Sequence, residues 1–376
     1  MLKITKSIIA IIFAVSVVLG MFVFVFSEKK TFSENENKNL AKFPEFTLKS
    51  LESGDFTADL EEYMKDHFPL RDSLMKLKTK AQLAAGYKRI GDVHIGKDRL
   101  FQQVDKPDVS SFVASSNKLF SAIENKDITT SVILLPSASE IYENELPSYT
   151  EHIDEKAVIN DILSQIDCDN AIDPTDMLLE KKAENNLFYT TDHHWTTYAA
   201  FYTYELFAKY AGIENVLPLK EREVMTLSRS FKGTLYSTVL DDSRYDTVVR
   251  LINPKSDFKS FMTKNATKAC EPYEFFAEEF LEMKDTYSYF GGGNFPLVVF
   301  ESENAKTDGE IVVIKDSFAN AFVPFLAESY KKVHIIDPRY FKGKTASAYI
   351  NENENITDVL VLYGINSLND GVTSFS

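Results

Sequence analysis

Asp192, His194 and Ser317 are the side chains in this 376-residue sequence whose types and spacing best suit nucleophilic catalysis. A serine hydroxyl attacks poorly unless a base takes its proton and a third group orients that base. Asp192 and His194 lie two residues apart in Thr190-Thr191-Asp192-His193-His194-Trp195-Thr196-Thr197-Tyr198. His194 is therefore the candidate base, and Asp192 the partner of its far ring nitrogen. Ser317 comes more than a hundred residues later, in Ile311-Val312-Val313-Ile314-Lys315-Asp316-Ser317-Phe318. An apolar run that breaks into Asp-Ser predicts a strand-to-helix turn, where backbone amides favour a developing oxyanion. The Asn366 side chain and an amide of Gly364 or Ser317 are the candidate donors to that oxyanion.

The elements that must position these residues read as alternating strands and helices. Ser131–Leu135 and Ala171–Ile172 are predicted strands, with helical stretches over 109–125 and 156–166. A helix from Tyr198 to Tyr210 follows the histidine motif, with Thr196 or Thr197 placed to cap it. Ile311–Ile314, Val333–Ile336 and Val359–Leu362 are three further strands, and Leu297–Phe300 a fourth. Phe318–Tyr330 reads as a helix, with Pro324 against it. This alternation predicts a parallel α/β sheet flanked by helices. The polar residues following the strands, Asp316-Ser317, Asp337-Pro338-Arg339 and Gly364-Ile365-Asn366, then share the carboxyl edge, where such sheets bind ligands. Gly291-Gly292-Gly293-Asn294 offers close backbone approach to a ligand or a flexible turn. Residues 213–280 are hard to read; 231–235 and 247–251 are a possible inserted strand pair.

Composition narrows the function classes. The chain is 44% apolar and 26% charged with a formal net charge of −15, so no basic surplus exists to neutralise nucleic-acid phosphates. Ser7 to Phe26 is an uncharged, mainly apolar run of twenty residues, the length needed to cross a bilayer as a helix. It follows Lys3 and Lys6, exceeds the apolar core of a signal peptide, and has no Ala-x-Ala site after it. The expected organisation is a transmembrane signal anchor over 1–26, a tether and helical stalk over 27–90, and a catalytic domain over 91–376. Residues 213–300 of that domain could contain an insertion. The working part is thus expected outside the cell membrane. Cys168 and Cys270 are the only cysteines, free or paired.

The Asp192-His193-His194-Trp195 tetrapeptide resembles the signature of the DHHW proteins, which look related to SGNH-hydrolase-like proteins that O-acetylate alginate and similar polysaccharides. The resemblance also takes in 35–43, 66–71, Gly96-Lys97-Asp98, 285–296 and 315–318. It implies an SGNH-like domain with a circularly permuted motif order, the Asp-x-His pair preceding the serine. By that resemblance Ser317 is the nucleophile, His194 and Asp192 complete the triad, and Asn366 matches the asparagine of the Gly-x-Asn block. Lys315 departs from the pattern, standing where many SGNH proteins have glycine. His193 is left as a packing or substrate-facing residue, and Trp195 as a core anchor or a sugar-stacking platform. Gly293, Asn294 and Arg339 join them as candidate substrate contacts. The implied activity is O-acetyl transfer to, or removal from, an exported or cell-surface polysaccharide. No cofactor or metal is called for, and a membrane-bound O-acyltransferase is the expected supplier of acyl groups.

Two other readings fit parts of the sequence. Asp-His-His also occurs in metal-dependent phosphoesterases, although the remaining histidines, His67, His94, His152 and His334, sit in no recognisable ligand motif. A carbohydrate-binding or assembly protein that keeps the fold without activity would also suit the abundant aromatic residues.

Overall fold

The computed structural model describes residues 2–36, 38–369 and 375. Met1 of the expected anchor, Asn37 of the tether and residues 370–374 and 376 of the catalytic domain lie outside them. The chain forms two compact units, residues 1–87 with 237–241, and residues 88–236 with 242–376.

In the first unit, α1 (Leu2–Phe26) is a single 25-residue helix. Among the described residues, no helix is long and apolar enough to cross a membrane, so the anchor rests on the sequence run alone. The stretch expected to be a stalk forms α2 (Asp55–Asp66) and α3 (Arg71–Ala84) after a short helical turn, Leu48–Ser53. The corner between α2 and α3 binds the tether. Buried Asp66 accepts from Lys38 at 2.7 Å and from the Ala41 amide at 2.9 Å, and Arg71 pairs with Glu36. His67 contacts the Ala41 carbonyl through Nε2 at 2.9 Å, a structural role.

The second unit is built on an eight-stranded sheet. Its strands are β1 (Thr129–Leu135), β2 (Asn170–Ile172), β3 (Phe258–Thr263), β4 (Glu271–Pro272), β5 (Leu297–Ser302), β6 (Glu310–Lys315), β7 (Lys332–Ile336) and β8 (Ile356–Gly364). They lie in the order β4-β3-β5-β7-β6-β8-β1-β2. From β7 to β2 every pairing is parallel; β5, β3 and β4 are antiparallel additions at one edge. The sheet is therefore mixed, and the expectation of a parallel sheet holds only for its five-stranded core. The outer two come from 258–272, a mostly half-exposed or exposed stretch in which the period-two signal is weak, while β5 carries the predicted strand Leu297–Phe300.

Both faces of the parallel core are covered. Ile311 and Val313 face one apolar cluster, with Trp195, the helix Thr197–Tyr210 and the residues after Ser317. Val312 and Ile314 face the other, with the helices Val109–Ser121 and Glu155–Ser164. This alternation of consecutive apolar residues is what a strand buried on both sides produces. The expected helix over 318–330 is broken into a 3-10 turn, Ser317–Ala321, and one helical turn, Val323–Leu326, because Pro324 begins a new helix rather than continuing one. The expected inserted pair is a long antiparallel hairpin, Glu223–Phe231 with Asp246–Ile252, and Gly233–Leu235 lies beyond its first strand.

Candidate active site

The histidine motif is a tight loop closed by an isolated bridge between Phe188 and Trp195. The Tyr189 amide donates to the His194 carbonyl at 3.2 Å, and the Thr196 amide to Leu187 at 2.8 Å. Asp246, at the start of the second hairpin strand, holds the near end. It accepts from the amides and hydroxyls of both Thr190 and Thr191, at 2.6–2.8 Å. Thr196 occupies the helix cap position, but its hydroxyl donates to Asn186 and Thr197's to Val249, so neither side chain caps the helix.

Within this loop His194 bridges to the distant strand end. Its Nε2 lies 2.8 Å from Ser317 Oγ, across 123 residues of sequence, and its Nδ1 lies 2.6 Å from Asp192 Oδ1. Asp192 is buried and nearly saturated. Oδ1 also accepts the His194 amide at 2.9 Å, and Oδ2 accepts the Thr234 amide at 2.7 Å and its hydroxyl at 3.1 Å. Burial works to raise the Asp192 pKa, but the charges of His194 and His193 and these hydrogen bonds outweigh it. Its carboxyl is held well below the usual carboxylate range. An ionised Asp192 can accept only, which makes His194 Nδ1 the donor and leaves Nε2 free to accept from Ser317.

Ser317 is the first residue of the 3-10 turn that follows β6. Asp316 fixes that turn. Its carboxylate accepts the Phe318 amide at 2.9 Å and the Gly364 amide at 2.8 Å, tying the ends of β6 and β8 together. Burial pushes the Asp316 carboxyl upward in pKa. The Gly364 amide is thus already engaged, and a Cβ at Gly364 would lie 2.8 Å from the Phe318 ring. Gly364 is a packing glycine and supplies no amide to an oxyanion. The Asn366 Nδ2 donates to Gln102 at 3.2 Å, while its buried Oδ1 has no protein partner among the described residues.

The remaining candidates divide. Trp195 has no exposed surface and donates from Nε1 to the Phe318 carbonyl at 2.8 Å; it is a core anchor and offers no platform to a sugar. His193 is half-buried beside His194, ring centroids 3.9 Å apart, with Nδ1 2.7 Å from Thr234 Oγ1. Burial, then the charge of His194, pushes its pKa down to about 4, so it stays neutral near pH 7. Asn294 and Arg339 belong to one charge cluster beyond β6 and β7. Buried Lys315 donates to Asn320 at 2.8 Å and Asn294 at 3.1 Å, with Asp337 at 3.4 Å. Arg339 makes a bidentate pair with Asp337 at 2.9 and 2.7 Å. Gly293 adopts a left-handed backbone with open space where a Cβ would be.

Three contributors lie in segments the sequence marks without assigning them to the site. Thr234 and Gly233 come from the hairpin end and back Asp192. Tyr287 stacks on the His194 ring at 3.9 Å and 13° from parallel. Asp316 stood next to Ser317, and its spacing to Phe318 is that of a local side-chain cap, which could have marked it.

Asp192, His193 and His194 each present an atom within 4.8 Å of the others, a grouping able to hold a metal ion. Both Asp192 oxygens, both His194 nitrogens and His193 Nδ1 already have protein partners, so a metal would have to displace those bonds.

A mixed α/β sheet with a hydrogen-bonded serine, histidine and aspartate at its carboxyl edge defines the class. The chain belongs to the DHHW protein family, whose model it matches over residues 108–336. Its fold is similar to that of a DHHW family protein from Eubacterium siraeum, at 24% identity and a TM-score of 0.62, covering 74% of this chain and 91% of that one. It is similar also to Bacillus cereus PatB1, solved with a sulfonyl adduct, at 21% identity and a TM-score of 0.64, covering 76% and 99% of the two chains. A looser likeness, TM-score 0.44 at 14% identity, links it to the O-acetyltransferase domain of Pseudomonas putida AlgJ, over 75% and 93%. No functionally curated protein is significantly similar to it in sequence.

Proposed function

We propose that this protein is a serine-dependent acyl-ester enzyme that moves acetyl groups onto, or off, an exported or cell-surface glycan. The observation that carries this reading is the unbroken line Ser317 Oγ, His194 Nε2, His194 Nδ1, Asp192 Oδ1, with links of 2.8 and 2.6 Å. In the first half-reaction His194 takes the Ser317 proton as Oγ attacks the acetyl carbonyl, and the donor's oxygen leaves with that proton. An acetyl-serine remains. In the second, a sugar hydroxyl or water loses its proton to His194 and attacks the acetyl carbonyl, and Ser317 Oγ leaves with the proton restored. Asp192 stabilises the imidazolium formed in each half. The Ser317 amide, at the start of its turn, is our candidate for the oxyanion; Asn366 would serve only after turning from Gln102. Sugar acceptor and water share the acyl intermediate, and exclusion of water decides between them.

The setting we propose follows the sequence. Residues 7–26 anchor the chain in the cell membrane, the catalytic unit works outside it, and a membrane-bound O-acyltransferase supplies acyl groups. A sugar-binding protein without activity is the competing reading. Hydrolysis of an acetyl ester reporter separates the two. We expect turnover that Ser317→Ala and His194→Ala each reduce by at least about 1,000-fold. Equal rates in both variants and the wild type would sink the enzyme reading.

A further inference from the structure

Resting on that reading, we propose that Tyr287 is a positioning residue that sets His194 and Ser317 in register with one another. A base that must face two partners through opposite ring nitrogens is lost to catalysis when its ring rotates. Asp192 restrains only the Nδ1 side. Tyr287 lies parallel to the imidazole with centroids 3.9 Å apart, so rotation of the imidazole out of this plane drives its edge into the phenol ring.

The same side chain holds the nucleophile. Its hydroxyl donates to the Ser317 carbonyl at 3.0 Å, with the Phe318 carbonyl at 3.3 Å sharing the proton. Both carbonyls belong to the 3-10 turn that begins at Ser317. One fully packed residue therefore touches the base through its face and the nucleophile's turn through its tip. Trp195 adds a second donor to the Phe318 carbonyl, but its ring makes no stack with His194. The backbone that carries Tyr287 is braced in turn. It forms a short 3-10 turn, Thr286–Tyr289, and runs on through the glycines to Asn294, which accepts from Lys315. Residues 287 and 294 thus grip β6 and its turn on either side of Asp316. The glycine segment, read from the sequence as a close approach to a ligand or a flexible turn, brings that brace round. Gly291, Gly292 and Gly293 all take the left-handed backbone that such a tight return needs.

The test uses the full-length protein and phenylmethylsulfonyl fluoride, which reports attack by Ser317 without a glycan. Labelling of Ser317 is followed by intact mass across reagent concentrations. Tyr287→Phe keeps the stack and removes the hydroxyl; the maximal labelling rate should fall about tenfold, the loss of one hydrogen bond to the turn. Tyr287→Leu removes both contacts and should cost about 100-fold or more. The half-saturating reagent concentration should stay put in both, which mere loosening of the fold would not produce. The Phe variant is conservative enough to decide the matter should the Leu variant fold poorly. Wild-type labelling with both variants within about twofold of it would overturn the proposal alone. Wild-type protein that resists labelling at Ser317 would overturn the ester-enzyme reading and this one with it.

Discussion

Gly233 lies so close against Asp192 that a Cβ added to it would overlap the Asp192 Cβ and Oδ2. Its neighbour Thr234 supplies two hydrogen bonds to the same oxygen, so the hairpin end is the back wall of the acidic group. Gly233 takes no left-handed backbone angle, and the constraint is purely steric. Gly233→Ala should therefore destabilise the protein by about 1–3 kcal/mol through overpacking and tilt Asp192 away from His194. Chemical denaturation and Ser317 labelling measured together should both report the loss.

Asp192→Asn tests the orienting role without changing shape. An amide cannot accept from His194 Nδ1, His194 N, Thr234 N and Thr234 Oγ1 together, so the His194 ring loses its tautomer control. We expect ester turnover to fall on the order of 10³- to 10⁴-fold, as the loss of an orienting carboxylate does in serine triads. Stability should respond to pH in a defined direction. The Asp192 carboxyl is lower in pKa folded than unfolded, so its contribution is complete above the ordinary value near 3.8 and is lost as the pH falls below it. The advantage of wild type over Asp192→Asn should be largest near neutrality and shrink on acidification in denaturation experiments.

Glu155 gives the opposite sign. Its buried carboxylate accepts from the Ser137 amide and hydroxyl, both at 2.6 Å, and burial pushes its pKa up to about 7. A carboxyl raised on folding contributes most while it is protonated, and that contribution declines as the pH climbs from about 4.5 through 7. Glutamine reproduces the neutral form, donating to the hydroxyl and accepting from the amide. Glu155→Gln should match wild type near pH 5 and exceed it at pH 8 by up to about 3 kcal/mol. A parallel pair of pH–stability curves would contradict this.

The two thiols sit at opposite ends of the eight-stranded sheet, Cys168 just before β2 and Cys270 just before β4. Seven strand spacings of ~4.8 Å separate these edges by about 34 Å, far beyond disulfide reach. Both are free. Alkylation under denaturing, non-reducing conditions should label two thiols per chain, and a Cys168→Ser/Cys270→Ser protein should melt within a few degrees of wild type.

What the sequence disclosed followed from pattern strength. Ile311–Ile314 and Val359–Leu362 are apolar runs bounded by polar breaks, so the parallel core and its carboxyl edge were readable; the pairing of Ser317 with the histidine loop followed from residue chemistry and the family resemblance. Of the antiparallel edge only Leu297–Phe300 was readable, because Phe258–Thr263 is half-exposed along most of its length, without the alternation of a one-sided strand, and resembles loop. Side-chain direction escaped too. The Asp-His-His-Trp word does not say that Trp195 points into the core, since the Phe188 bridge and the Phe318 carbonyl decide it. Edge position alone makes the Gly364 and Ser317 amides equal candidates for the oxyanion, yet the Asp316 side chain takes the Gly364 amide first. Tyr287 sits in a four-residue 3-10 turn with no periodicity to betray it.

The central claim is that Ser317, activated by His194, forms a covalent acyl intermediate. Intact-mass measurement after mixing the protein with p-nitrophenyl acetate tests it most directly. Wild-type protein should gain the mass of one acetyl group, mapped to Ser317, with His194→Ala acquiring it at least about 1,000-fold more slowly and Ser317→Ala not at all. An acetyl group that maps elsewhere, or appears equally fast in all three proteins, would contradict the account.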